Sequence, residues 1–158
     1  MASLKAGEYR VSSHLRHLPI SEENPDRRDG GAHKIIVVPE SGLVMNNDAY
    51  DTAPAKWVLE PKDEDSFIVK VNNRPIGTSN EGLFSTPDPK KAEEWVILQH
   101  GYRGSYTIET ADRKAGWKLD SDLSPNPNIK VGRLDKLPGF PPRYPSSQLF
   151  DFALVEAY

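Results

Sequence analysis

The sequence predicts an all-β fold built on threefold internal repetition, and two short phrases that recur along the chain predict it. In the first phrase an aromatic and a β-branched residue stand two apart after a polar or glycine-bearing turn: Tyr9-Arg10-Val11, Phe67-Ile68-Val69 and Tyr106-Thr107-Ile108. In the second a large aromatic leads the triplet: Trp57-Val58-Leu59, Trp95-Val96-Ile97 and, with Phe for Trp, Phe150-Asp151-Phe152. The first two copies of the second phrase each precede the next copy of the first by about ten residues, and the third runs into the C-terminus. If the chain ends meet in space, the series closes into a ring. Units of roughly 40 to 60 residues, each holding several short strand patterns, are too long for a solenoid and point to a closed architecture. The expected fold is a β-trefoil, twelve strands in three pseudo-repeats, forming a single domain over residues 1–158.

Strand by strand, the first unit is expected near 8–13, 17–21, 33–38 and 56–60. The second is expected near 66–71, 74–79, 82–85 and 94–98, and the third near 105–110, 115–119, 128–134 and 149–155. Asn72-Asn73 suits the left-handed conformations of a tight hairpin, and Asp112-Arg113-Lys114 turns the corresponding hairpin of the third unit. Alternating residues, Phe67 with Val69 and Tyr106 with Ile108, are expected to face the core. The one helical stretch is a single turn within Asp88-Pro89-Lys90-Lys91-Ala92-Glu93.

Composition narrows the function classes. A chain of 158 residues buries enough surface to fold without staples, and it has no cysteine to make them. That absence fits a reducing compartment. The start, Met1-Ala2-Ser3-Leu4-Lys5-Ala6-Gly7, lacks the apolar run of a signal peptide, and no stretch has the length of a membrane span, so a cytoplasmic location is expected. A formal net charge of -3 supplies no positive field for nucleic acid. Fourteen prolines and eleven glycines mark a chain of turns, not helices.

Few residues could carry enzyme chemistry. There is no thiol nucleophile, no thiolate metal site, no Gly-x-Ser-x-Gly elbow and no phosphate-binding loop. His14 and His17 form a His-x-x-His pair, but across a strand end and a turn with no acidic neighbour in sequence, so no metal is expected. Asp120 with Asp122, and Asp63 with Asp65, fall in turns where carboxylates cap backbone amides. The chain reads as a binding protein without a cofactor.

A carbohydrate-binding trefoil is one such reading. The ricin-type lectins carry Gln-x-Trp at the strand ending each unit; here the triplets are Ala55-Lys56-Trp57, Glu93-Glu94-Trp95 and Gln148-Leu149-Phe150. Core packing alone accounts for those aromatics, and a sugar site would need others exposed, such as Tyr102, Trp117 or Tyr144. Three connections are longer than a hairpin requires: 22–32, 39–55 and 135–147. Loops of such length are usually functional. The first holds Asn24-Pro25-Asp26-Arg27-Arg28-Asp29-Gly30-Gly31, and the last Lys136-Leu137-Pro138-Gly139-Phe140-Pro141-Pro142-Arg143-Tyr144-Pro145. Each offers a basic residue among prolines. A trypsin-like protease reads Lys or Arg through an Asp at the base of its specificity pocket, and proline lowers the ordering cost of presenting one.

Taken in order, Ala6-Gly7-Glu8-Tyr9-Arg10-Val11-Ser12-Ser13, Lys56-Trp57-Val58-Leu59-Glu60, Glu94-Trp95-Val96-Ile97, Ser105-Tyr106-Thr107-Ile108-Glu109-Thr110-Ala111-Asp112 with Gly116-Trp117, and Pro142-Arg143-Tyr144-Pro145 ahead of Phe150 resemble the mushroom (basidiomycete) β-trefoil serine-protease inhibitors, the cospin and cnispin family. The resemblance runs from Gly7 to Val155. It implies a leaderless cytosolic protein of fruiting bodies, not an enzyme, that binds a trypsin-like serine protease in a substrate-like way and deters animals that eat the fungus. A monomer is expected, with no nucleic-acid or membrane partner. In that family the reactive residue lies either between the second and third strands or between the eleventh and twelfth. The resemblance therefore implies, in rank order, Arg27, Arg28, Lys136 and Arg143, with Asn24, Pro25, Asp26 and Asp29 supporting the first loop. Asp29 disfavours Arg28 by following its bond directly, and Leu137-Pro138 gives Lys136 a rigid apolar downstream side. A cysteine-protease inhibitor of the mycocypin type, on a similar trefoil, is the further alternative.

Overall fold

The computed structural model describes residues 4–15, 17–22, 31–38, 55–79, 82–100, 105–119, 129–138 and 143–158. Twelve strands follow in order: β1 (Gly7–Ser13), β2 (Ile20–Glu22), β3 (His33–Val37), β4 (Trp57–Pro61), β5 (Ser66–Val71), β6 (Arg74–Ser79), β7 (Gly82–Ser85), β8 (Glu94–His100), β9 (Ser105–Thr110), β10 (Gly116–Leu119), β11 (Ile129–Gly132) and β12 (Phe150–Ala157). The expected strands are all present, several with the same bounds. The largest shift is β2, which begins at Ile20 and takes in Glu22 instead of spanning 17–21. His17 cannot extend that strand because its φ of 56° turns the chain, with its amide donating to the Ser13 carbonyl at 2.7 Å.

The chain ends do meet. β1 runs antiparallel to β12 from Gly7 opposite Ala157 to Ser13 opposite Phe150. A Cβ on Gly7 would stand 2.5 Å from the Glu156 carbonyl oxygen, so the close approach at this seam requires glycine. From β1 the pairing passes to β4, β5, β8, β9 and back to β12, which closes a six-stranded barrel with no free edge. The other six strands are three hairpins, β2–β3, β6–β7 and β10–β11. β7 pairs with both β3 and β11, joining the hairpins into a cap. This is the β-trefoil.

The hairpin chemistry is as expected. Asn72 and Asn73 take φ of 50° and 67°, and Arg113 takes 62°. Asn72 also accepts from the Lys56 amide through Oδ1 at 3.0 Å, tying the turn back to β4. The expected helical turn is a 3₁₀ turn at Pro89–Lys91, capped by Asp88 accepting from the Lys90 amide at 3.0 Å. No helix among the described residues is long and apolar enough to cross a membrane.

The repeated aromatics meet in the core. Trp57, Trp95 and Phe150 are fully buried at matching places in β4, β8 and β12. Trp117 fills the space among them, its ring centroid 5.9 Å from Trp57, 5.5 Å from Trp95 and 6.0 Å from Phe150. Edge-on and tilted packing of this kind places the positive ring edge against a negative face. Phe67, Val69 and Ile108 are buried as expected, while Tyr106 is half-buried and meets Phe152 edge-on at 5.3 Å, as Tyr9 does at 5.9 Å.

Candidate functional site

The two loops that carry the candidate basic residues are each closed at the mouth by a polar clamp. At the β2–β3 mouth the clamp is centred on Glu22, the last residue of β2, whose side chain is 2 % exposed. Ile20 and Glu22 alternate to the same buried face, so a carboxylate occupies an inward position. It is satisfied from every side. Asn72 Nδ2 donates to Oε1 at 2.8 Å, the Ser85 hydroxyl donates to Oε2, and His33 Nδ1 and Arg74 Nε stand 3.4 and 3.7 Å from Oε2. Arg74 reaches on to donate to the Gly31 carbonyl, on the returning arm of the same loop. Glu22 and His33, which flank the loop, are thus bound to the β5–β6 turn and the β6–β7 hairpin. Arg27 and Arg28, with Asn24, Pro25, Asp26 and Asp29, lie outside the described residues.

The β11–β12 mouth is closed differently. Gln148 is buried at 2 % exposure in the second 3₁₀ turn, Ser146–Gln148. Its Oε1 accepts from the Asp135 amide at 2.9 Å, and its Nε2 donates to Asp135 Oδ2 at 3.0 Å. Two residues on, Leu137 and Arg143 pair as an antiparallel bridge: the Leu137 amide donates to the Arg143 carbonyl at 2.6 Å, and the Arg143 amide to the Leu137 carbonyl at 3.4 Å. Lys136 lies between these two anchored residues, exposed, as is Arg143. Gln148, which in sequence looked like a remnant of a lectin signature, acts here as a loop clamp.

Behind this loop runs a side-chain relay. Tyr144 lies against the His100 ring at 4.5 Å between centroids. His100 Nε2 is 2.8 Å from Thr107 Oγ1, and the Thr107 hydroxyl donates to Glu109 Oε2 at 2.7 Å. With its proton committed to Glu109, the Thr107 oxygen accepts, which puts the proton of neutral His100 on Nε2. Burial holds the His100 pKa below its ordinary value; Glu109 opposes this, and Arg113 and Lys136 add to it.

Other sequence candidates find structural roles. Trp117, which a sugar site would need exposed, is buried at the centre of the core, because its place in β10 points it at Trp57, Trp95 and Phe150. Tyr144 is half-buried against His100, and Tyr102, Asp120 and Asp122 lie outside the described residues. His14 does have an acidic neighbour, from β12: Asp151 Oδ1 and Oδ2 are both 3.2 Å from its Nδ1, with Ser105 Oγ also at 3.2 Å. These are the residue types of a hydrolytic triad, but both partners share one ring nitrogen, whereas a triad requires Ser and Asp on opposite nitrogens. The cluster stitches β1, β9 and β12 together. No group of three or more metal-ligating side chains occurs among the described residues.

Comparison with known proteins agrees with this picture. A proteinase inhibitor from Coprinopsis cinerea superposes with a TM-score of 0.75 at 28 % identity, covering 97 % of this chain and 100 % of its own. Cry35Ab1 (TM-score 0.68, 16 % identity, 96 % of this chain and 36 % of that one) and a Polyporus squamosus lectin (0.62, 14 %, 96 % and 50 %) share the fold. Among curated protein sequences none matches. The model of the peptidase inhibitor I66 family matches residues 2–154, nearly the whole chain. This protein belongs to that family of mushroom β-trefoil protease inhibitors, and it is an inhibitor of peptidases and not an enzyme.

Proposed function

We propose that the protein inhibits trypsin-like serine proteases in a substrate-like way, and that the Lys136–Leu137 bond is offered to the enzyme. One observation carries this reading: both residues flanking Lys136 are anchored. Asp135 is gripped by Gln148, and Leu137 is paired with Arg143, while Lys136 itself is exposed. The Lys136 ammonium would reach the Asp at the base of a trypsin-like pocket, and the protease serine would attack the Lys136 carbonyl. On cleavage the leaving amine is that of Leu137, whose nitrogen lies 2.6 Å from the Arg143 carbonyl. That bond would keep the amine beside the acyl-enzyme. Held there at high effective concentration, it re-forms the peptide bond faster than it departs. Slow net turnover of a tightly bound substrate is inhibition.

The test is titration of trypsin, with chymotrypsin and papain alongside. The expected result is stoichiometric loss of trypsin activity alone, weakened about 30-fold or more by Lys136→Ala and by less than threefold by Arg27→Ala. The reverse pattern moves the reactive bond to the β2–β3 loop, and loss of papain activity instead assigns the protein to cysteine proteases.

A further inference from the structure

An open cleft of about 830 Å³ lies between the β9–β10 turn and the segment following β11. Its walls carry Glu109, Arg113, Lys114, Arg133 and Lys136, with Leu134 and Tyr144 as apolar surfaces. Four cations thus face one carboxylate, in a chain whose overall formal charge is -3. The carboxylate is already committed: Glu109 is buried, accepting from the Thr107 hydroxyl at 2.7 Å through one oxygen and from Arg113 Nε at 3.5 Å through the other. Glu109 therefore offsets Arg113 and leaves Lys114, Arg133 and Lys136 without an ion pair among the described residues.

The nearby acids are tied as well. Asp112 accepts from the Thr110 hydroxyl at 2.6 Å and the Lys114 amide at 3.0 Å, and Asp135 is held by Gln148. Three cations with no ion pair among the described residues converge on one concave surface; Asp112 offsets Lys114 in part, and the low-dielectric walls focus the positive potential that remains. An apolar flank from Leu134 and Tyr144 suits the face of a ring.

We propose that this cleft binds a compact polyanion, several sulfate or phosphate esters carried on a sugar or cyclitol ring. Lys114, Arg133 and Lys136 contact the esters. Lys136 is shared with the proposed reactive bond, so the cleft ligand and a protease compete for that side chain, whereas Lys114 and Arg133 belong to the cleft alone.

Isothermal titration of the intact protein with a heparin-derived sulfated hexasaccharide, and separately with inositol hexakisphosphate, distinguishes the two ester sources. The desulfated hexasaccharide is the control. The expected result is saturable binding of at least one ester-bearing probe and none of the control. Affinity should fall roughly 15- to 60-fold between 50 and 200 mM salt, as release of about two to three counter-ions requires. The Lys114→Ser, Arg133→Ser double variant should lose at least tenfold in affinity while keeping the parent melting temperature and trypsin titration. Should the variant fail to fold, Arg133→Lys serves instead, retaining the charge and most of the affinity while Arg133→Glu abolishes binding. Absence of binding at 50 mM salt, equal binding of the desulfated sugar, or binding insensitive to positions 114 and 133 would each overturn the proposal.

Discussion

At the mouth of the β2–β3 loop a buried carboxylate, Glu22, gathers groups from β3, β6, β7 and the β5–β6 turn; at the mouth of the β11–β12 loop a neutral amide, Gln148, grips a single residue thirteen positions away, Asp135. The first clamp is ionic and crosses between repeats. The second pairs a neutral amide with an exposed carboxylate and is local, helped by one main-chain bridge. A buried ion pair gives little net stability over an apolar pair of equal volume, yet removing one member is costly, since the other stays buried and uncompensated. Losing the Gln148 amide costs less, since Asp135 is exposed and its freed groups can turn to water in part. The two loops are therefore held with similar definition but different consequences of failure.

The largest effect expected from this contrast is at Glu22. Glu22→Ala should destabilise the fold by about 3 kcal/mol, read as a lower urea midpoint, because Arg74 loses its counter-charge while Asn72 and Ser85 lose their acceptor. Glu22→Gln, which keeps one acceptor oxygen for Asn72 and turns an NH2 toward the Ser85 oxygen, should lose less; a loss as large as that of Glu22→Ala would show that the charge carries the clamp. Next comes Gln148→Ala, at about 1–3 kcal/mol, since it leaves the Asp135 amide and carboxylate without partners. The same variant should be cut at Lys136–Leu137 and released faster on prolonged incubation with trypsin, followed by mass spectrometry. A variant that is less stable but no faster to be cleaved would detach the clamp from inhibition.

The smallest effect is one of pH. His100 is held below its ordinary pKa of 6.5 by burial under Tyr144. As pH falls below 6.5 the unfolded chain takes up a proton that the folded state resists, so stability declines through that window and levels off below the folded pKa. His100→Gln should flatten this part of the melting-temperature profile, and an unchanged profile would place the titration elsewhere.

Sequence pattern revealed the barrel and hid the clamps, for one physical reason. Strands such as Ser66–Val71 and hairpin turns such as Asn72-Asn73 leave local signals, alternation and left-handed backbone preference, which need no knowledge of the partner strand. Glu22 left a faint local signal, an acid two places from Ile20 on an inward face, but its partners lie at positions 33, 72, 74 and 85, and nothing short-range links them. Gln148 was visible as a residue but carried no assigned role, because its meaning depends on Asp135 across the loop. The sequence leaves Trp117 unassigned between core and surface, since β10 is short and its alternation does not show which face is inward until the other aromatics are in place. The basic loop residues Lys136 and Arg143 emerge through loop length and the family resemblance, which ranks Arg27 and Arg28 ahead of them.

The core aromatics carry a spectroscopic consequence. The chain has three tryptophans, and Trp57, Trp95 and Trp117 are all shielded from water, with Trp117 within 6 Å of each of the other two. Their emission should be blue-shifted and respond as one signal to global unfolding, while staying silent to events in the loops. A fluorescence change on mixing with a protease therefore arises from the enzyme's own indoles, so complex formation can be followed at the wavelength where the inhibitor is a constant background.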